Sequence, residues 1–95
     1  MFTQKPTNVT LFTGIVYTMP CEATGVPDPT YTWTFNAAPL QESPVILKLL
    51  SGGLFFADVR ISDSGRYTCN AQNLHGSKSA DAYLKVVKGK SLPSL

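Results

Sequence analysis

The chain has 95 residues, of which eight are Lys or Arg and six are Asp or Glu, so its formal net charge is +2 at pH 7. This length suits one domain with a modest core, and the charges are spread out except for an excess at Lys85, Lys88 and Lys90. We therefore expect no nucleic-acid binding. No apolar stretch approaches the roughly 20 residues that cross a bilayer, so we expect no membrane insertion by this segment.

Short strand patterns, separated by Gly, Pro or Asn, follow one another along the chain, and no segment keeps a helical period. This pattern predicts an all-β fold. In the first long strand, alternation points one set of side chains inward: Ile15, Tyr17, Met19, Cys21 and Ala23. Pro20 lacks an N–H group for the sheet, so a local irregularity is expected there.

The later strands repeat the alternation. Trp33 is expected to point into the core from an aromatic strand, and an apolar run then extends from Val45 to Leu50. Further inward positions are predicted at Leu54, Phe56, Val59, Tyr67, Cys69, Ala71, Ala80, Ala82, Leu84 and Val86. The last hairpin is placed at residues 73–76, where Asn73 and Gly76 would supply positive φ. Residues 1–88 are predicted to form one domain, and 89–95 a tail or interdomain linker.

Cys21 and Cys69 are the only cysteines, and we predict that they form a disulfide. Closing a loop of this length stabilises a small domain by about 4 kcal/mol in the chain-entropy account. Because His75 is the only histidine, the chain has too few soft ligands for a zinc site, and we expect neither a metal nor another cofactor.

Several spaced motifs follow in a fixed order. They are Cys21 with Trp33 twelve residues later, Gly25-x-Pro27-x-Pro29, Leu54-x-Phe56-x-x-Val59, Asp63-x-Gly65-x-Tyr67-x-Cys69-x-Ala71-x-Asn73-x-x-Gly76 and Leu84-x-Val86. In these motifs the chain resembles the I-set of the immunoglobulin superfamily from about Pro6 to Val86. The resemblance implies an immunoglobulin-like Greek-key β-sandwich of two antiparallel sheets, with strands A, B, E and D in one and A′, G, F and C in the other. The stretch from Trp33 to Leu54 allows at most a short C′ strand.

The resemblance also implies structural roles for four residues. Trp33 would pack against the disulfide, and the Tyr67 hydroxyl would return to the backbone near Asp63. Asp63 would accept hydrogen bonds from a tight turn that it begins, and Gly65 would take a conformation that a side chain resists. A catalytic triad of Ser62, Asp63 and His75 is not expected, because the two turns that carry them should lie at opposite ends of the sandwich. We therefore predict that the chain is not an enzyme.

Two surface features suggest contacts. Asn8-Val9-Thr10 is a sequon for N-glycosylation, which makes Asn8 a candidate attachment site. Strand alternation also predicts an apolar outer face on the A, B, E and D sheet, with Val16, Phe55, Ile46 and Leu50 as candidate interface residues. We expect strand D to be an edge open to pairing with another chain. The alternative is that these are isolated surface hydrophobics, which are common.

The resemblance implies a protein-recognition or adhesion module, one domain of a larger extracellular adhesion molecule or cell-surface receptor. Its expected partners are other proteins and neighbouring domains in a tandem array. The disulfide and the sequon favour this extracellular setting. Two alternatives stay open. One is an intracellular sarcomeric or cytoskeletal module that acts as spacer and docking platform, with both cysteines as buried thiols. The other is the ectodomain of a receptor kinase or phosphatase whose activity lies elsewhere.

Overall fold

Strands dominate the structure, a computed structural model that describes residues 1–89. The strands are β1 (Phe2–Gln4), β2 (Val9–Phe12), β3 (Tyr17–Met19), β4 (Glu22–Ala23), β5 (Thr30–Phe35), β6 (Ala38–Pro39), β7 (Ile46–Lys48), β8 (Leu54–Phe56), β9 (Gly65–Asn73) and β10 (Gly76–Val87). One short 3₁₀ helix, η1, spans Ile61–Asp63 between β8 and β9. Of the predicted tail at 89–95, all but Gly89 lies outside the described residues.

One sheet has five strands in the order β2-β10-β9-β5-β6. It contains the strands predicted as A′, G, F and C, and the expected short C′ strand is β6. One pairing differs from the prediction of a wholly antiparallel sheet, because β2 runs parallel to β10, with Val9 opposite Leu84. The reason is that the chain leaves β1 in the opposite sheet, passes the buried Pro6 and then runs alongside the last strand.

The opposite sheet is divided into a three-stranded part, β3-β8-β7, and a two-stranded part, β1-β4. The division falls at Pro20 and Cys21, which separate β3 from β4 within one extended segment. A proline has no N–H to continue the ladder, which accounts for the break that the sequence predicts. The inward row also begins later than expected, since Ile15 is 39% exposed whereas Met19 and Cys21 are buried.

The core lies between the two sheets, and the Cys21–Cys69 disulfide crosses it. The disulfide and the two-sheet sandwich are therefore confirmed. The ring of Phe56 meets that of Tyr67 edge to face, with centroids 5.5 Å apart. The other fully enclosed side chains follow the predicted inward rows: Met19, Trp33, Leu54, Val59, Ala82, Leu84 and Val86.

The last hairpin turns through Leu74 and His75, as a two-residue loop between β9 and β10. Of the two positive φ angles predicted for this turn, only that of Gly76 is present. Gly76 has φ +144°, but Asn73 acts through its side chain, whose Oδ1 accepts the His75 N–H at 2.8 Å. An asparagine amide can close a turn in this way without a left-handed backbone.

Candidate protein-interaction surfaces

The Trp33 indole anchors the loop between β7 and β8. Its Nε1–H donates to the Gly52 carbonyl at 2.8 Å, and this bond is buried. Gly52 has φ +116°, and a Cβ there would collide with the Cys21 carbonyl oxygen and lie 2.9 Å from Tyr31 Cε1. Only glycine fits against the Cys21 carbonyl and the Tyr31 ring, so this loop is held against the core at one point.

The Tyr67 hydroxyl donates to the Asp63 backbone carbonyl at 2.7 Å, closing the corner before β9. Burial raises the pKa of this hydroxyl, and the Asp63 carboxylate raises it further. Asp63 ends a turn rather than beginning one, which corrects the expectation. Its carboxylate accepts the Arg60 N–H at 2.8 Å, since the preceding residues form η1.

Gly65 begins β9, which lies beside β5 in the five-stranded sheet. Its φ is +156°, and an added Cβ would lie 2.6 Å from Phe35 Cε1 and 2.7 Å from Asn36 Oδ1. That same Asn36 oxygen accepts the Arg66 N–H at 2.9 Å. Because glycine has no Cβ, it allows both the positive φ and the close approach of Phe35 and Asn36 at this position.

The outer side of β7 and β8, together with the segment just before β3, carries an apolar surface, which we call the apolar outer face and define as Val16, Leu47 and Phe55. Phe55 lies directly opposite Leu47, and Val16 is 63% exposed. Leu50, in the turn after β7, is completely exposed. Ile46 does not belong here, which corrects the prediction. It pairs with the buried Phe56 and packs against the core, because the register places Leu47, not Ile46, on the outer side.

Strand β7 is an edge strand, as expected, but its edge is already occupied. The Ile46 N–H donates to the Ser43 carbonyl at 3.2 Å and the Ser43 N–H donates to the Ile46 carbonyl at 3.0 Å. The Lys48 N–H donates to a Glu42 carboxylate oxygen at 3.0 Å. Pairing of this edge with another chain, which the sequence suggested, would first have to displace these groups.

A second apolar surface, missed from the sequence, lies where the β4–β5 and β9–β10 connections meet. We call it the turn end and define it as Val26 and Leu74, each 86% exposed. The Asn73 Nδ2 donates to the Pro27 carbonyl at 3.0 Å and so ties the two connections together. A cavity of about 360 Å³ opens beside them, between Phe2 and Lys78. In the sequence, the signal for this surface is that two large apolar residues, Val26 and Leu74, lie in turns.

Asn8 is exposed immediately before β2, and its Oδ1 accepts the Tyr83 N–H of β10 at 2.9 Å. The structure does not bring Ser62, Asp63 and His75 together. The nine-residue β9 separates η1 from the last hairpin, a length of about 27 Å. Within residues 1–89, His, Cys, Asp and Glu side chains form no group of three or more that could hold a metal ion. No helix in that range is long and apolar enough to cross a bilayer.

A family comparison accounts for this geometry, since the immunoglobulin I-set domain matches residues 1–86. The chain belongs to the immunoglobulin I-set family. The I-set domain is 40% identical to human protein sidekick-1 over 90 residues, which cover 90% of this chain and 4% of that protein. It thus spans only a small part of this relative.

Two solved structures extend the comparison. The titin M3 domain superposes with a TM-score of 0.84 at 30% identity, covering 90% of this chain and 94% of that one. Sidekick-1 immunoglobulin domains 1–4 give 0.86 at 35% identity, covering 93% of this chain and 24% of that one. This I-set domain is therefore similar both to domains of sidekick-1 and to a titin domain.

Proposed function

We propose that this domain is a protein-recognition module of a larger extracellular adhesion molecule or cell-surface receptor. The observation that carries the proposal is the apolar outer face. Val16 and Leu47 are exposed, and Phe55, which lies opposite Leu47, is half-buried, on a sheet that has no covering layer within residues 1–89. Burying such a surface against an apolar protein surface gains about 25 cal/mol per Å² of apolar area removed from water.

Two further observations support the extracellular setting. The Cys21–Cys69 disulfide is of a kind that persists mainly in oxidising compartments. Likeness to human sidekick-1, and to a solved structure that contains immunoglobulin domains 1–4 of sidekick-1, supports a place beside other domains in one chain. In such an array the turn end is the second surface available for contact.

Site-specific photo-crosslinking in the parent protein on cells tests the proposal. A photoreactive amino acid replaces Leu47 on the apolar outer face, Leu74 at the turn end, or Tyr83, a 57% exposed residue of the five-stranded sheet, as control. We expect position 47 to form adducts with another protein and position 83 to form few. Adducts at position 74 would identify a neighbouring domain or a second partner.

Adducts at position 83 in place of position 47 would contradict recognition through the apolar outer face. Circular dichroism of each variant shows whether the domain still folds, since all three replaced side chains are exposed.

A second function is favoured by the likeness to the titin M3 domain, which is matched over almost its whole length. In that alternative the domain is an intracellular spacer and docking platform. Because both cysteines are buried, the two functions are separated by alkylation under denaturing conditions, as soon as the native tissue is lysed and before any reductant is added, followed by mass spectrometry. Unmodified, bonded Cys21 and Cys69 support the extracellular proposal, and alkylated thiols support the alternative.

A further inference from the structure

Strand β10 has the longest unpaired edge within residues 1–89. It spans Gly76–Val87, and β2 pairs only with residues 84–87 on its outer side. On the other side, the Asn36 N–H donates to the Arg66 carbonyl, so even-numbered residues of β9 bond to β5. The antiparallel alternation then points the N–H and C=O groups of Ser77, Ser79 and Asp81 away from the sheet.

The Asn8 side chain covers the next position along this edge. Its Oδ1 accepts the Tyr83 N–H at 2.9 Å, consistent with Tyr83 facing outward like the other odd-numbered residues. Its Nδ2 makes no hydrogen bond within the described part of the chain, and the residue is exposed. Asn8 therefore lies where the pairing between β2 and β10 ends, and its Nδ2 is free at the start of the unpaired part of the β10 edge.

We propose that Asn8 carries an N-linked oligosaccharide that shields the unpaired edge of β10. Proteins protect such edges because free N–H and C=O groups pair with other chains. The β7 edge is protected by Glu42 and Ser43, whereas Ser77, Ser79 and Asp81 have no comparable cover within residues 1–89. At about 3.3 Å per residue, Asp81 lies about 7 Å and Ser77 about 20 Å from Tyr83 along the strand, so a branched oligosaccharide starting at Asn8 extends over them.

The attachment leaves the fold unchanged. The Nδ2 nitrogen bonds to the anomeric carbon of an oligosaccharide activated as a pyrophosphate. The bond from that carbon to the pyrophosphate oxygen breaks, the pyrophosphate takes the electron pair, and one amide proton is released. Oδ1 takes no part in the new bond and continues to accept from Tyr83. This inference rests on the proposed extracellular function, since the donor is met in the secretory pathway.

The test expresses three chains through a secretory pathway: wild type, Thr10→Ala, which removes the sequon but keeps Asn8, and Thr10→Ser, which keeps the sequon. Intact mass before and after peptide N-glycosidase shows occupancy. Nuclear magnetic resonance with a soluble paramagnetic agent then measures how exposed the amides of residues 77, 79 and 81 are. We expect a glycan on the wild type and Thr10→Ser chains only, and a loss of relaxation enhancement at those three amides when it is present.

Enzymatic removal of the glycan from the wild type provides the matched control, because it leaves aspartate at position 8 with an oxygen that can still accept from Tyr83. The enhancement should return to that of Thr10→Ala. A protein secreted with an oxidised disulfide but no glycan overturns this inference and leaves the proposed function standing. A glycan that changes none of the three amides overturns the shielding.

Discussion

At the scale of single residues, Gly52 is the position with least tolerance for a side chain. Gly52→Ala places a Cβ against the Cys21 carbonyl and Tyr31, and a left-handed backbone adds strain. We expect a loss of about 3 kcal/mol or more in the free energy of unfolding, measured by urea denaturation. Gly14→Ala is the matched control, since Gly14 has φ +89° with open space around it, and should cost about 1 kcal/mol. Equal losses would show that strain alone, and not collision, decides.

Tyr67 makes stability depend on alkaline pH. Its pKa is raised in the folded protein, so the native state holds this proton more tightly than the unfolded state. The stability that Tyr67 contributes through its raised pKa is fully present below the unfolded pKa of about 10. It is lost as pH rises above that value, at up to about 1.4 kcal/mol per pH unit. Tyr67→Phe should flatten this decline between pH 9 and 11 while costing about 1 kcal/mol at pH 7 through the lost Asp63 bond. If the free energy of unfolding, measured by urea denaturation at each pH, falls as steeply with pH in Tyr67→Phe as in the wild type, Tyr67 is not the cause of the decline.

At the scale of elements, the β7 edge depends on a side chain from outside the strand. Glu42→Ala removes the acceptor of the Lys48 N–H, so we expect this amide to exchange its hydrogen about fivefold faster, equivalent to about 1 kcal/mol. Glu42→Gln keeps an oxygen at the same position and should exchange at close to the native rate. Identical exchange in wild type and Glu42→Ala would show that the carboxylate gives the edge no protection.

Local pattern predicted most elements, because each inward row depends on alternation within one strand. It failed for Ile46, since the phase of a short strand is set by its partner: pairing with Phe56 turns Ile46 inward and leaves Leu47 outside. The cover of the β7 edge by Glu42 could not be predicted either, because it depends on how the preceding loop folds back. The turn end could not be predicted in this way, because alternation assigns sides only within strands and Val26 and Leu74 lie between strands.

At the scale of the whole molecule, the disulfide joins the two sheets across 48 positions of sequence. Replacing both Cys21 and Cys69 by Ala should lower the free energy of unfolding by about 4 kcal/mol, which is a large share of a small domain's stability. Urea unfolding of the oxidised protein and the double variant measures the difference. A difference below about 1 kcal/mol would show that packing around Trp33 holds the sheets together without the covalent link.

The parallel pairing of β2 with β10 has a mechanical consequence. Near the turn end, the Met1 carbonyl accepts a hydrogen bond from the Thr24 N–H, whereas beyond the far end of β2 the Gly89 N–H donates to Thr13 Oγ1. A tensile load applied between these two points therefore pulls β2 and β10 in opposite directions along their own length. From the pairing of Val9 with Leu84 onward, this load acts on the hydrogen bonds between the two strands in shear, so several of them must break together before the strands separate.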